Sequence, residues 1–362
     1  MTTHTEVFDE SRLVELREQL PIRPWRSKPR RFTWSVIIAS LAPAVFVGLL
    51  YVFADIPGAL LLVAVYLPVQ IFASGLAAYV TRGTRGIADS VIIVNAIGAT
   101  VFTGIILASL LGSLIIRGWA ALSAHFIFQN NVYINPSTPL EYGGIGHAIL
   151  GTFLIVLISA VIAVPIGIAT AVYITEVRGR AVPYVRFFVQ AMSGVPSVVA
   201  GLFILTTLVV TGALSQSALA GGLAYAILML PTVARTAEEV LKLVPEELRT
   251  GALALGSTRS RTVFRVVLPA AKTGIITAII LGIARVIGET APLLLAAGNA
   301  DQTVVNPTGS PISSIPTYIF NNVALPYPDA VTRAWGAALV LIVLVAVLFT
   351  LARVIGARKP GR

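Results

Sequence analysis

The sequence predicts an all-α polytopic membrane protein with about eight transmembrane helices. Three observations predict it. Of the 362 residues, 56% are hydrophobic and only 12% charged, about half the charged share of a soluble domain. The mean hydropathy is +0.88. Apolar stretches of the ~20 residues that suit a ~30 Å hydrocarbon core recur along the chain, and the positive charges between them fall on alternate connections.

The expected spans are 33–54, 59–80, 91–116, 148–174, 185–210, 218–233, 273–297 and 334–355, the sixth being the shortest. The 32 residues before them are polar, with prolines at 21, 24 and 29, and do not read as a secretory signal. Within that tail, Ser11–Leu20 has the pattern of a short amphipathic helix. Arg23–Arg31 with Trp25 suits anionic lipid headgroups or ordinary positive-inside anchoring.

With the amino terminus in the cytoplasm, the cytoplasmic segments hold 23 of the 26 Lys and Arg residues: seven in the tail, two in 81–90, three in 175–184 together with Arg186, seven in 234–272, and four after 352. Arg117 and Arg333 fall outside, and Arg285 falls within a span. This bias places both termini in the cytoplasm. The formal charge of +10 is thereby a matter of topology and not a nucleic-acid footprint. Two outer segments, 118–147 and 298–333, are rich in Asn, Pro, Gly and aromatics. They are long enough to form surface for a soluble partner or to cap a bundle.

The polar run 228–268 interrupts this pattern. Pro245 before Glu246 and Glu247 suits a helix start. Gly256 suits its end, and Ser257 or Thr258 suits the cap of a second helix. Gly251, Ala252 and Ala254 give the first of these helices a small-residue face. It serves equally for close approach by another protein or for packing within the chain.

Arg285 is expected near the middle of its span, where an arginine costs about 2.5–3.5 kcal/mol on translocon scales. Glu289 follows four residues later on the same helical face, and Gly282, Gly288 and Pro292 flank the pair. The pair fits either a structural bridge or the lining of an aqueous path, where a guanidinium suits an oxyanion. Gln70, Asn95, Ser159, Thr206 and Thr207 read as polar glue between helices. Glu176 reads as a partner of Arg178 or Arg180.

The run 250–269 resembles the coupling loop of ABC-importer permeases, with Gly256 matching its glycine and Leu268-Pro269 its downstream pair. The leading Glu-Ala-Ala is Thr250-Gly251-Ala252 here, so the motif's acid is absent, though Glu246 and Glu247 lie one turn upstream. Ser193–Phe203 (SGVPSVVAGLF), Ala252–Ile275 and Ile283–Gly298 (IARVIGETAPLLLAAG) resemble the PstA-type permeases of bacterial phosphate importers over about 91–355.

The resemblance implies a six-helix permease domain (91–356) with a coupling loop at 234–272. An extra two-helix segment (33–80) and the basic tail (1–32) precede it. It further implies a translocation path at Arg285, Glu289 and Thr290, and ATPase coupling through Glu246, Glu247, Gly251, Ala252 and Gly256. The implied partners are a sister permease, two ATPase subunits that use ATP and Mg, and an extracytoplasmic phosphate-binding protein, all at a bacterial cell membrane.

The chain has no cysteine and no GxxxxGK[ST] loop, so thiolate chemistry and P-loop ATP hydrolysis are excluded. A secondary anion transporter or channel would keep the Arg–Glu pair, but the internal repeat such folds often show is not seen. An intramembrane hydrolase lacks its paired carboxylates, its HExxH or its Ser–His set.

Overall fold

A computed structural model describes residues 30–53, 58 and 61–357. The amphipathic helix and headgroup segment expected in the tail lie outside these residues, apart from Arg30 and Arg31, as do Arg358, Lys359 and Arg362. The regular secondary structure among the described residues is helical, with no strand.

The chain divides into two units at Ser109/Leu110. In the first, α1 (Arg30–Phe53) and α2 (Leu67–Arg82, entered through a π-helical turn at Leu61–Tyr66) meet where the Gln70 amide donates to the Ala39 carbonyl at 3.1 Å. Gly83, at φ +70°, ends α2 in a conformation that favours glycine. Helix α3 (Thr84–Gly118) begins in this unit.

The second unit holds α4 (Ala124–Phe128), α5 (Gly146–Val172, prolonged by a π turn to Val177), α6 (Val182–Ser193), α7 (Ser197–Ile204, prolonged to Val209) and α8 (Ala218–Lys242). After these come α9 (Glu246–Ala254), α10 (Arg259–Thr262), α11 (Leu268–Ala270), α12 (Lys272–Ile287), α13 (Ala291–Ala296), α14 (Ile315–Val323) and α15 (Pro328–Ala357). Its core lies where α5, α8, α12 and α13 meet, around Ile155, Tyr225, Met229, Val233, Val286 and Leu293.

Among the described residues, four unbroken helices are long and apolar enough to cross a membrane: Ile87–Ala121, Gly146–Val177, Ala218–Lys242 and Pro328–Thr350. Two bent pairs bring the number to six. Ile37–Phe53 and Ala64–Val80 are shorter apolar helices.

Three of the expected spans differ from the structure. The fifth is broken: α6 and α7 meet at 101° across Gly194–Pro196. Proline lacks the N–H a continuing helix needs and keeps its predecessor out of the helical region. The sixth is longer, because α8 runs on to Lys242. Charge ends a hydropathy window without ending a helix, and Glu238 pairs there with Lys242 (2.6 Å) and with Arg186 of α6 (2.9 Å). The seventh is interrupted, since α12 stops at Gly288 and α13 begins anew at Ala291.

Small residues set the closest approaches. A side chain on Gly282 would meet Val233 Cγ2 at 2.5 Å, and one on Gly167 would meet the same valine at 2.9 Å. Gly201 of α7 lies against the Pro292 backbone, where an added Cβ would stand 2.5 Å from Pro292 Cα. A backbone neighbour cannot swing aside. Gly201→Val is therefore expected to cost about 3 kcal/mol or more by overpacking, read as a lower thermal aggregation midpoint of the purified protein in detergent.

The segments 118–147 and 298–333, expected outside, pack against each other. The Asn131 amide donates to the Asp301 carbonyl at 3.0 Å, and the Ile315 amide ties the second segment to Thr152 Oγ1 of α5 at 2.8 Å. Arg333, 2% exposed, donates to the carbonyls of Thr138 (2.6 Å), Pro139 (2.7 Å) and Tyr142 (3.1 Å). Arg117 lies over the Trp335 ring, 5.2 Å from its centroid. The two arginines that depart from the positive-inside pattern thus each have a partner.

Of the expected polar glue, Asn95, Thr206 and Thr207 donate back to their own helices at Val91, Leu202 and Phe203. Short polar side chains reach the carbonyl one turn back more readily than a neighbouring helix. Gln70 does bridge two helices, and Ser159 reaches Met229 Sδ at 3.9 Å as well as its own Val156 carbonyl.

Candidate translocation and docking sites

Arg285 stands in the last turn of α12, beside a helix break and not amid a continuous span. It forms an ion pair with Glu289, which lies in the irregular stretch Gly288–Thr290 between α12 and α13. Side-chain exposure is 46% for Arg285 and 23% for Glu289. The backbone there is held on all sides. The Glu289 amide donates to Val286 O, the Tyr225 hydroxyl donates to Glu289 O at 2.5 Å, and the Thr290 carbonyl accepts from Leu293 and Leu294. Irregular backbone at membrane depth is tolerated only where protein or an aqueous cavity satisfies it.

The second break lies close by in the packing. Gly201, four residues into α7, touches Pro292 at the start of α13. The sequence runs Ser193–Phe203 and Ile283–Gly298, read separately, thus become one structural feature in which two discontinuous helices lean on each other. The small residue that allows this, Gly201, was legible only as a close-packing point. Tyr225 carried no signal.

A guanidinium nearly half-exposed at the end of an apolar helix cannot face hydrocarbon without the few kcal/mol such placements cost. It faces water or another protein. Its Nη1 donates to Glu289, which leaves donors of a planar fork that matches an oxyanion.

The polar run forms two short helices about a glycine, as expected. Pro245 stands at the N-cap of α9, and Glu246 and Glu247 sit in its first turn. Gly256, at φ +81°, turns the chain, and Thr258 Oγ1 accepts from the Arg261 amide to cap α10. A side chain on Gly251 would meet nothing within 4 Å. Gly251 and Ala254 are thus open among the described residues, and Ala252 is partly covered. Leu255 is 91% exposed, and Leu243 and Phe264 are also exposed.

Glu246 accepts from Arg249 at 3.2 Å, whereas Glu247 is exposed and enters none of the ion pairs among the described residues. Glu176 does not pair with Arg178 or Arg180. Its partner is Arg249 at 2.9 Å, 73 residues away. Arg178 instead turns back through a left-handed conformation (φ 52°) and donates to Thr175 O. The Glu176 carboxylate holds the Arg249 guanidinium above its ordinary value. An open pocket of about 630 Å³ lies here, between the end of α8, α9 and the π turn after α5.

The chain is similar to the phosphate transport system permease protein PstA 1 of Mycobacterium tuberculosis (strain CDC 1551 / Oshkosh). The two are 40% identical over 241 residues, which is 66% of this chain and 79% of that protein. It is 43% identical over 212 residues to the PstA permease of Mycobacterium leprae (58% and 69%), and 37% identical over 214 to a probable PstA permease of Methanocaldococcus jannaschii (58% and 75%). An inward-facing structure of the MetNI methionine ABC transporter aligns with 59% of this chain and 93% of its own at 18% identity and a TM-score of 0.47, too slight a likeness to argue from. The model of the family described as binding-protein-dependent transport system inner membrane component matches residues 163–359, and the chain belongs to that family.

Proposed function

We infer that this chain is the membrane permease of an ABC importer for inorganic phosphate, a PstA-type subunit that carries the anion inward but hydrolyses no ATP itself. The observation that carries this reading is its 40% identity across four-fifths of a phosphate permease. The family works with an ATPase and an extracytoplasmic substrate-binding protein. Our finer reading adds a sister permease and two ATPase subunits, which use ATP and Mg, with both termini of this chain in the cytoplasm. On this reading the two N-terminal apolar helices complete a count of eight spans in a bacterial plasma membrane.

In the proposed cycle, ATP-driven closure of the ATPases moves α9, which docks through the open face at Gly251 and Ala252, with Glu246, Glu247 and the Gly256 turn alongside. The helices rock, and phosphate leaves its binding protein at the outer segments. The anion passes Arg285, whose free donors meet it beside the break, with Glu289 orienting the guanidinium and Thr290 offering a hydroxyl.

Glu289 also repels the anion and so hastens its departure. Glu289→Gln is expected to lower turnover several-fold, about 1 kcal/mol in the barrier, while leaving the apparent KM for the loaded binding protein nearly unchanged. Uptake kinetics at varied binding-protein concentration would check this, and an unaltered turnover would remove that role.

The reading as a whole is tested by labelled phosphate uptake into ATP-loaded proteoliposomes holding the co-purified complex. Uptake that needs both internal ATP and external binding protein supports it. Uptake that needs neither would make the chain a secondary transporter or channel.

A further inference from the structure

We propose that Arg249 is the positioning residue that passes the motion of α9 to the membrane helices. This rests on the docking of α9 with an ATPase described above. No residue of α9 is fully buried, yet the Arg249 side chain is only 11% exposed and its partner Glu176 only 9%. One guanidinium gathers three elements. Its Nε and Nη2 donate to the Glu176 carboxylate at the end of α5, at 3.1 and 2.9 Å. Nη1 donates to the Val244 carbonyl at 2.6 Å, and Nη2 to the Leu241 carbonyl at 2.9 Å, both beyond the last turn of α8 or within it. Nη1 also reaches Glu246 on its own helix at 3.2 Å.

The fork is planar and its bonds diverge, so α9 cannot rotate or slide against α5 and α8 without breaking several charge-assisted bonds at once. A desolvated pair of this kind is costly to break by removing one partner. Elsewhere α9 is open: Gly251 has no neighbour on its side-chain face, and Leu255 points away from the subunit. Its outer surface is free for a partner, while its inner surface is fastened at the root of the two helices that pack most extensively in the core.

The natural chain has no cysteine, so Leu255→Cys supplies a single cross-linking site for docking. Complexes carrying it, reconstituted in proteoliposomes with the ATPase subunits and binding protein, would be assayed for cross-link yield, ATP hydrolysis and labelled phosphate uptake. Arg249→Met is expected to keep the cross-link and the hydrolysis but to lower phosphate carried per ATP about tenfold or more. Arg249→Lys, which keeps charge without the fork, should fall between. Glu176→Gln leaves the guanidinium on both carbonyls and should give a smaller loss of the same kind. It also decides the matter should Arg249→Met fail to assemble.

Unchanged phosphate per ATP in Glu176→Gln and Arg249→Met would overturn the proposal. So would cross-link, hydrolysis and uptake falling together, because Arg249 would then merely hold the fold. A wild-type complex without the Leu255→Cys cross-link would instead overturn the docking reading beneath it.

Discussion

Arg285→Gln is expected to lower ATP-dependent phosphate uptake by about 100-fold, the equivalent of losing one or two hydrogen bonds to a charged group, with complex assembly unchanged. Glutamine keeps much of the side chain's length but removes the charge and the fork. It also leaves Glu289, now unpaired, as a bare carboxylate beside the route. Labelled uptake at matched protein amount measures the loss. The double variant Arg285→Gln/Glu289→Gln separates the two uses of the pair. If the bridge only held α12 to the following break, removing both charges would restore stability and with it transport. If the guanidinium meets the anion, uptake stays lost although the stability returns. Arg285→Lys retains the charge as a point and should recover part of the activity.

Gly251→Leu is expected to leave the folded permease intact and to strip the ATPases from it. The open space over Gly251 means that a larger side chain costs this subunit little, and leucine is the better helix former by about 1 kcal/mol. Any harm must therefore come from the partner that needs that space. A buried interface clash of this size costs several kcal/mol of overpacking, enough to reduce ATPase co-purification by more than about tenfold. The thermal midpoint of the isolated permease should be unchanged or slightly raised. Retained ATPase in the variant would show that α9 docks by another face.

Much of this was legible in the chain. Hydropathy and the Lys/Arg asymmetry give a helical membrane protein, and proline and glycine at 245 and 256 mark α9 to within a residue. Spacing also placed Arg285 beside Glu289. What it missed shares one physical cause: hydropathy averages over windows and cannot see direction. The windows over 185–210 and 273–297 are apolar throughout, so the turns at Pro196 and Gly288 vanish into them. Conversely, the charges from Arg235 to Lys242 hide a helix that continues unbroken. Contacts far apart in sequence were the other gap. Glu176 has arginines two and four residues away, and nothing local indicates that Arg249 will take it. Tyr225 and Gly201 are ordinary in their surroundings and acquire meaning only opposite Glu289 and Pro292.

The 101° bend between α6 and α7 has a consequence for the lipid. Arg186 of α6 pairs with Glu238 near the end of α8, and Tyr184, Phe187 and Phe188 of α6 are exposed, as interfacial aromatics are. On the topology proposed above, α6 lies along the interface and the limb Ser197–Val209 crosses. Its 13 residues reach about 20 Å at the helical rise, against the ~30 Å thickness of hydrocarbon. The outward apolar side of that limb, with Val198, Leu202 and Phe203, is thus a short wall. About 10 Å of mismatch must be made up there, by thinned acyl chains or by the flank of a neighbouring protein.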